Sequence, residues 1–554
     1  MQAPSSTTVI YAARKILTMN PAQPEATHVA VRDGRILGVG DLDALRTWGP
    51  AELDTRYADQ VLMPGLVEGH CHLHEGGVWK FIYVGYYPRR GPDGRMWEGL
   101  KSLDAVTQRL REAQAGLDAN TVLIGWGFDP IFFGGERMDV RHLDAVSRER
   151  SVVVMHTSMH LMNVNTPMLA RVGIDRDTDI EGITRFPNGE PSGELCEFAA
   201  MFPVMRVIGN PFRTLGLTED GLRMFGKVAQ WAGVTTATDL VNELEDDGLQ
   251  TLARITREAD YPVRIVPAAS ALTYADDPSR CLDILTRLKQ LNHDKLHLGM
   301  VKLVVDGSIQ GFTARVRWPG YHNGAPNGIW IIAPDVLPQV VQTYHDAGVQ
   351  LHIHTNGDEA TQAAIDAVDL ALRRSPRRDH RHTLQHCQMA DAAQFRRMAN
   401  LGMCANLFAN HIFYWGDAHY AQTMGPDRAH RMDACASAMR AGVPFAIHSD
   451  APVTPLGPLF TAWCAVQRQT ASGRILGASE RISVATALHA ITLGAAYTLH
   501  LDHLIGSIEI GKYADFCILQ DDPGDVAPER LKDLQVQGTV IGGVPLALHS
   551  VNRP

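Results

Sequence analysis

Histidine, lysine and aspartate recur in five short stretches spread over nearly 400 residues: GLVEGHCHLH, MVKLVVDGS, LHIHTNGD, LQHCQ and HSDAPV. They supply His70, His72, Lys302, His354, His386 and Asp450, each near the end of an apolar run that reads as a strand. Two histidines at i and i+2 on a strand point to one side and can grip a metal together. Such ligands suit a divalent ion that activates water, so the expected chemistry is hydrolysis without a protein nucleophile. Asp450 is the candidate general base and acid. A carboxylate at a strand exit can touch the metal, accept a proton from attacking water and pass it to a leaving amine. A turn-forming aspartate ahead of Pro452 is its plainer alternative.

The other residues also have plainer readings. An isolated His-x-His pair could be a core pair, and His74, which shares the parity, fits a strand exit or a supporting contact. Lys302 sits in an almost wholly apolar run, where an unpaired ammonium is costly to bury; a salt bridge to Asp306 would compensate it. His352 and His354 share one face, and His354 is nearer the strand's C-terminal end. Asp358 precedes EATQAAIDAVDLALRR and could cap that helix. The aromatic run NLFANHIFYWGDAHY offers Phe413, Trp415 and His419 as candidate substrate contacts, with core packing as the alternative. His160, in HTSMHLMNVN, is a further substrate candidate, and Trp126, Phe128, Phe132 and Phe133 lie upstream of it.

Residues this scattered need a scaffold that gathers strand ends. Strands are expected at Gln60–Leu66, Val234–Val241, Val263–Ala268, Leu298–Val305, Val349–His354, His382–His386, Met403–Leu407 and Pro444–Ser449. Helical patterns alternate with them, around Glu219–Ala232, Leu249–Ala259, Leu282–Leu291, Val336–Ala347, Glu359–Arg373, Asp391–Asn400 and Ala429–Ala441. Eight strands alternating with helices predict an α/β fold, a (β/α)8 TIM-type barrel over 61–502, whose active site lies at the C-terminal strand ends. The stretch from about Lys80 to Arg213 is too long for a loop and reads as an inserted subdomain after the first strand. The termini, 1–60 and 503–554, carry short alternating apolar runs and glycines that predict a small β-sandwich.

Composition narrows the partners. With 554 residues, 45% hydrophobic and 20% charged, the chain can bury a large core and divide into domains. A net charge of -10 without a basic cluster argues against nucleic acid and anionic membranes. No apolar run approaches the roughly 20 residues of a membrane span, and no basic, apolar leader opens the chain, so a cytoplasmic location is expected. The eight scattered cysteines read as reduced thiols, Cys71 and Cys387 included.

In their joint order the five motifs resemble the amidohydrolase superfamily, and within it the family-3, YtcJ-like branch that includes N-substituted formamide deformylase. VRDGRILGVGDL, GVTTATDL and IGSIEIGKYADFCILQDDP extend the resemblance over almost the whole chain. It implies one or two zinc-type ions held by His70, His72, Lys302, His354, His386 and Asp450, with Lys302 carboxylated to a bridging carbamate. A neutral, buried lysine is the form that reacts with carbon dioxide. Gln385 departs from the family's Glu-His pattern; strand alternation would turn it away from the metal. The expected substrate is a small molecule with a non-peptide carbon–nitrogen bond: an amide, an N-formyl or N-acyl amine, or a cyclic amide. A deaminase on the same fold, with Glu359 as its nearest candidate acid, and a non-catalytic regulatory or binding protein are the rivals. Homo-oligomerisation stays open.

Overall fold

The computed structural model describes residues 7–548 except 119, 135, 210–213 and 245. The expected edge of the insertion at Arg213, and residues 1–6 and 549–554 of the terminal units, lie outside the described residues.

Eight strands form one parallel sheet in chain order: β1 (Leu66–Glu68), β2 (Val234–Asn242), β3 (Arg264–Ser270), β4 (Met300–Val304), β5 (Gln350–Thr355), β6 (Thr383–His386), β7 (Cys404–Leu407) and β8 (Phe445–Ile447). Past the strand ends, an isolated parallel bridge joins Cys71 to Ala451, bringing the exit of β1 beside that of β8. The His72 amide donates to the Ala451 carbonyl at 2.8 Å, and the Asp450 amide to that of His70 at 3.0 Å.

Alternation decides which side chains reach the interior. Val301 and Leu303 of β4, and Leu351 and Ile353 of β5, join a core with helix residues such as Val341, Ala364 and Val368. Lys302, His352 and His354 therefore take the opposite face. A one-residue slip would exchange these sets. It would forfeit about 1.5–3 kcal/mol for each aliphatic side chain removed from the core and push a lysine and two histidines against the helices.

The intervening helices are amphipathic. Helix Asp358–Arg374 buries Ala360, Ala364, Val368 and Ala371, a stripe at three- and four-residue spacing that faces the sheet. Asp391 starts the next helix, Ala392–Asn400, with a capping box completed by Gln394.

Three local expectations need correction. The run Gln60–Leu66 is divided: residues to Pro64 belong to a strand of the terminal sheet, and β1 starts at Leu66. Gly65 makes the crossing, where a Cβ would lie 2.0 Å from Thr235 Oγ1. The helix expected over 429–441 is broken into Gly425–Ala429 and Cys435–Ala441 by Asp433, whose φ is 47°. Asp358 is not the cap. Gly357 takes that position, and Asp358 instead accepts the Arg317 amide at 2.8 Å.

Between β1 and β2 the chain builds a second, six-stranded sheet from Ile82–Tyr83, Leu123–Phe128, Val152–His156, Leu161–Val164, Ile183–Arg185 and Pro191–Cys196. Its Trp126, Met155, Met162 and Leu195 pack with Met201 and Val204 of helix Glu197–Ile208 in a core of their own. Both termini share a seven-stranded sheet in which Phe516–Leu519 runs antiparallel to Val61–Pro64. Among the described residues no helix is long and apolar enough to cross a membrane.

Candidate metal centre

His70, His72, Lys302, His354, His386 and Asp450 line one cavity of about 610 Å³ at the C-terminal ends of the eight strands. His70 and His72 follow β1 directly, and their Nε2 atoms each lie 3.2 Å from Asp450 Oδ1. That oxygen is buried without a hydrogen bond of acceptable geometry, as is His386 Nδ1, which lies 3.9 Å from Asp450 Oδ2. The His354 and His386 rings stand 4.5 Å apart. Lys302 Nζ is 3.4 Å from His70 Nε2. Imidazole nitrogens gathered on a carboxylate oxygen in this way are suited to a shared cation, and His70, His72 and Asp450 are close enough to hold one.

Protonation suits the same purpose. Burial, then Lys302, brings His70 down to about 4. Burial also holds His354 and His386 well below the ordinary histidine range. Burial alone would raise Asp450, but His70, His72 and His386 outweigh it and keep the carboxyl well below its usual range. Burial alone would lower His72, but Asp239 and Asp450 outweigh it and raise it; the neutral imidazoles of His70, His354 and His386 beside an ionised carboxylate are the forms that bind metal. Burial lowers Lys302 to about 7, against the pull of Asp450. Asp306 does not compensate the lysine: its carboxylate accepts the backbone amides of Asn356, Gly357 and Arg315, each at 2.9 Å.

Backbone strain helps aim these groups. His386 and Cys387 have φ of 71° and 50°, and Asp450 has 52°, a left-handed region that costs a non-glycine residue about 1 kcal/mol or more. At His386 this ends the strand's alternation, so neighbouring residues both face inward. Gln385 holds the strand's inward position, in register with His354 of β5, and the turn brings His386 inward beside it, so the expectation that Gln385 faces away from the metal is corrected. Its Oε1 accepts from His70 Nδ1 at 2.7 Å and from Asn406 Nδ2 at 3.0 Å. Its Nε2 donates to His352 Nδ1 at 2.7 Å. With its proton held on Nδ1, His70 presents the Nε2 lone pair to the cavity.

Two carboxylates from the sequence motifs also support the centre, unmarked by any spacing signal. Asp239 Oδ1 lies 3.8 Å from His72 Nδ1. Glu68 accepts the His70 and Ser449 amides at 3.3 and 3.2 Å and the Ser449 hydroxyl at 2.7 Å. Burial raises Glu68 to about 8, and its three accepted hydrogen bonds tie β1 to the Asp450 turn.

His160 lines the same cavity; its Nδ1 is 2.9 Å from Glu197 Oε2. Glu197 outweighs burial and raises the His160 pKa. His74 also lines the cavity, its ring stacked 5.1 Å from that of His72. Phe413, Trp415 and His419 are not among the lining residues. Helix Asn410–Ala418 and the turn His419–Thr423 that follows pack them elsewhere: Phe413 meets Phe460 and Trp463, Trp415 donates to Asp129 at 2.9 Å, and His419 bonds His411 and Thr423. Glu359 is engaged by Arg315 at 3.0 Å. Cys71 donates to the Thr238 carbonyl at 3.1 Å, and burial pushes both its thiol and that of Cys387 upward.

A family model described as the amidohydrolase family matches residues 58–547. Protein LONG AFTER FAR-RED 3 of Arabidopsis thaliana is 27% identical over 549 residues, covering 96% of this chain and 90% of its own. N-substituted formamide deformylase of Arthrobacter pascens is 25% identical over 543 residues, covering 96% of each. Among solved structures, an uncharacterized metal-dependent hydrolase from Pyrococcus horikoshii OT3 shares the fold with a TM-score of 0.71 at 20% identity, over 94% of this chain and 99% of that one.

Proposed function

The chain belongs to the amidohydrolase family, and from that membership we propose that it hydrolyses a non-peptide carbon–nitrogen bond in a small amide, an N-formyl or N-acyl amine, or a cyclic amide. The observation that carries this reading is the gathering of His70, His72 and Asp450 around a common point on the cavity floor. On the same reading the eight-stranded sheet is the (β/α)8 barrel of a 61–502 domain, with an inserted subdomain over about 80–213. The described parts of segments 1–60 and 503–554, which share the seven-stranded sheet, would make the sandwich beside it. Eight free cysteines support a reducing, cytoplasmic setting.

His70, His72, Lys302, His354, His386 and Asp450 would hold one or two ions, with zinc favoured by the imidazole-rich set. Bound there, the metal would polarise the substrate carbonyl and make water nucleophilic near neutral pH. Lys302 would add carbon dioxide through its neutral amine, forming an N–C bond and releasing a proton, and the resulting carbamate anion would be a further ligand for the metal. Asp450 accepts the proton as water oxygen bonds to the carbonyl carbon. It then returns that proton to the leaving nitrogen as the carbon–nitrogen bond breaks, yielding an acid and an amine. His160, held by Glu197, is placed to donate to the substrate carbonyl.

Above the polar floor, Met155, Met159, Phe198, Leu272, Ile329 and Ile331 line the cavity. That apolar wall supports substrates with an alkyl or aryl group on one side of the scissile bond. The acid that the sequence offers a deaminase, Glu359, is paired with Arg315 and does not line the cavity. The test is a panel of N-formyl, N-acetyl and cyclic amides scored for amine release. Release from an aryl or alkyl N-acyl amine supports the reading; ammonia from amino-heterocycles alone overturns it.

A further inference from the structure

The turn that carries Asp450 into the cavity is held by donors from three directions. Asp450 has a φ of 52°, and a non-glycine residue keeps that conformation only where its surroundings over-determine it. Each carbonyl from Ser449 to Thr454 accepts a hydrogen bond. The first half is held by the turn itself and by the segment after β1: the Thr454 hydroxyl donates to the Ser449 carbonyl, the Val453 amide to that of Asp450 at 2.7 Å, and the His72 amide to that of Ala451 at 2.8 Å. The second half is held by the segment inserted between β1 and β2. Arg89 Nη1 donates to the Pro452 carbonyl at 2.6 Å, Thr157 Oγ1 to that of Val453 at 2.9 Å, and Arg89 Nη2 to that of Thr454 at 3.3 Å. Arg89 is buried and fixed in its turn by Glu75, whose Oε2 accepts from Nη2 at 2.6 Å. Glu75 is itself buried and lies in the short helix His74–Gly77 that follows His70 and His72. One guanidinium thus ties together two segments that meet at the metal centre.

We propose that Arg89 is a positioning residue: through the carbonyls of Pro452 and Thr454, with Thr157 on that of Val453, it holds the Asp450 carboxyl where it can take a proton from water and return it to the leaving nitrogen. A buried ion pair is a weak source of stability, since packed apolar side chains of similar volume often do as well or better. A guanidinium does what an apolar side chain cannot, because its planar fork fixes the direction of two carbonyls at once. The inference rests on the reading of Asp450 as proton carrier, and it gives the inserted segment a part in the reaction beyond lining the cavity.

The test is a double-variant cycle in the full-length, zinc-loaded protein, scored by amine release from an N-acyl amine. Arg89→Ala should lower kcat about 10–100-fold, the scale of loss when a reacting group is displaced by roughly 1 Å, with KM changed less than threefold and metal content unchanged. In an Asp450→Asn background the same replacement should lower kcat less than threefold, because the group it positions is already disabled. A merely structural role would cost the same in both backgrounds. Hydrogen exchange of the metal-free protein gives a readout apart from activity: the peptide over 449–455 should exchange faster in Arg89→Ala while that over 300–304 stays as in wild type. Equal kcat losses in the two backgrounds, a kcat within threefold of wild type in the folded variant, or unchanged exchange over 449–455 overturn the proposal. Apo-protein melting checks folding, and if Arg89→Ala does not fold, Thr157→Val carries the same cycle. It should cost threefold or more in the wild-type background and nothing beside Asp450→Asn, and equal effects overturn the proposal. If Asp450→Asn alone costs less than tenfold, the proton-carrier reading fails; if it costs more and the cycle is additive, only the assignment of Arg89 fails.

Discussion

Gln385 offers a sharp perturbation because one amide orients two histidines. Replacement by leucine keeps the bulk but leaves His70 Nδ1–H, Asn406 Nδ2–H and His352 Nδ1 without the partners they have at 2.7, 3.0 and 2.7 Å. With about 1–3 kcal/mol for each buried orphan, Gln385→Leu should lower apo-protein stability by at least ~3 kcal/mol. Loss of the contact that holds His70 in the Nδ1–H tautomer should weaken metal binding by about 10–100-fold, or roughly 1.4–2.7 kcal/mol. Gln385→Glu behaves differently. The carboxylate still accepts from His70 and Asn406, while His352, whose Nε2 is unpartnered, can move its proton to Nδ1 and donate. An anionic partner also makes His70 a stronger base, so this variant should bind metal at least as tightly as wild type. Chelator competition on each folded apo-protein gives the order Glu ≥ Gln > Leu. If the leucine variant binds within threefold of wild type, Gln385 does not act through His70.

Other consequences follow from the same geometry. Asp450→Asn should retain the fold and most of the metal but lower kcat by about 10²–10⁴, with KM little changed, because an amide cannot accept the proton; stopped-time amine release measures it, and a loss below tenfold would make Asp450 structural. Lys302, lowered to about 7 by burial, is neutral above that pH and protonated below it. Carbamate formation should accordingly rise as pH increases through 7, read as bicarbonate-dependent uptake of a second metal at pH 8.5 that is absent at pH 6; equal uptake at both would refute it. Lys302→Ala should lose that second ion, and short carboxylic acids should restore part of it. Phe198→Ala, at the apolar wall, should raise KM for aryl N-acyl amines about tenfold while leaving that for N-acyl methylamine within twofold; parallel changes for both would remove Phe198 from the substrate pocket.

The alternation of strands and helices, and the five stretches whose residues line the cavity, were legible because period and parity are local properties. At Lys302 and His354, parity alone separates the inward residue from its apolar neighbours. Features created by tertiary contacts were less accessible. Gln385 is the inward residue of its strand, in register with His354; the left-handed turn brought His386 inward beside it, and nothing in LQHCQ signals that turn. Gly65 divided an apparently continuous strand because Thr235 crowds it, and Asp433 interrupted a helical pattern from a buried positive-φ position. The aromatic run after β7 has a composition equally suited to pocket and core. Contacts with Phe460, Trp463 and Asp129 packed Phe413 and Trp415 against the core, and Met155, Met159, His160 and Phe198 of the segment between β1 and β2 line the cavity instead.

The most direct test of the central claim is metal-dependent amine release by the full-length protein on the N-acyl amine panel, measured before stripping, after chelation and during zinc titration. The account predicts that activity disappears with the metal, returns at one to two equivalents of zinc per chain, and stays absent in His70→Ala/His72→Ala at any zinc concentration. Amine release that persists in the stripped protein, or in the double variant, would contradict it.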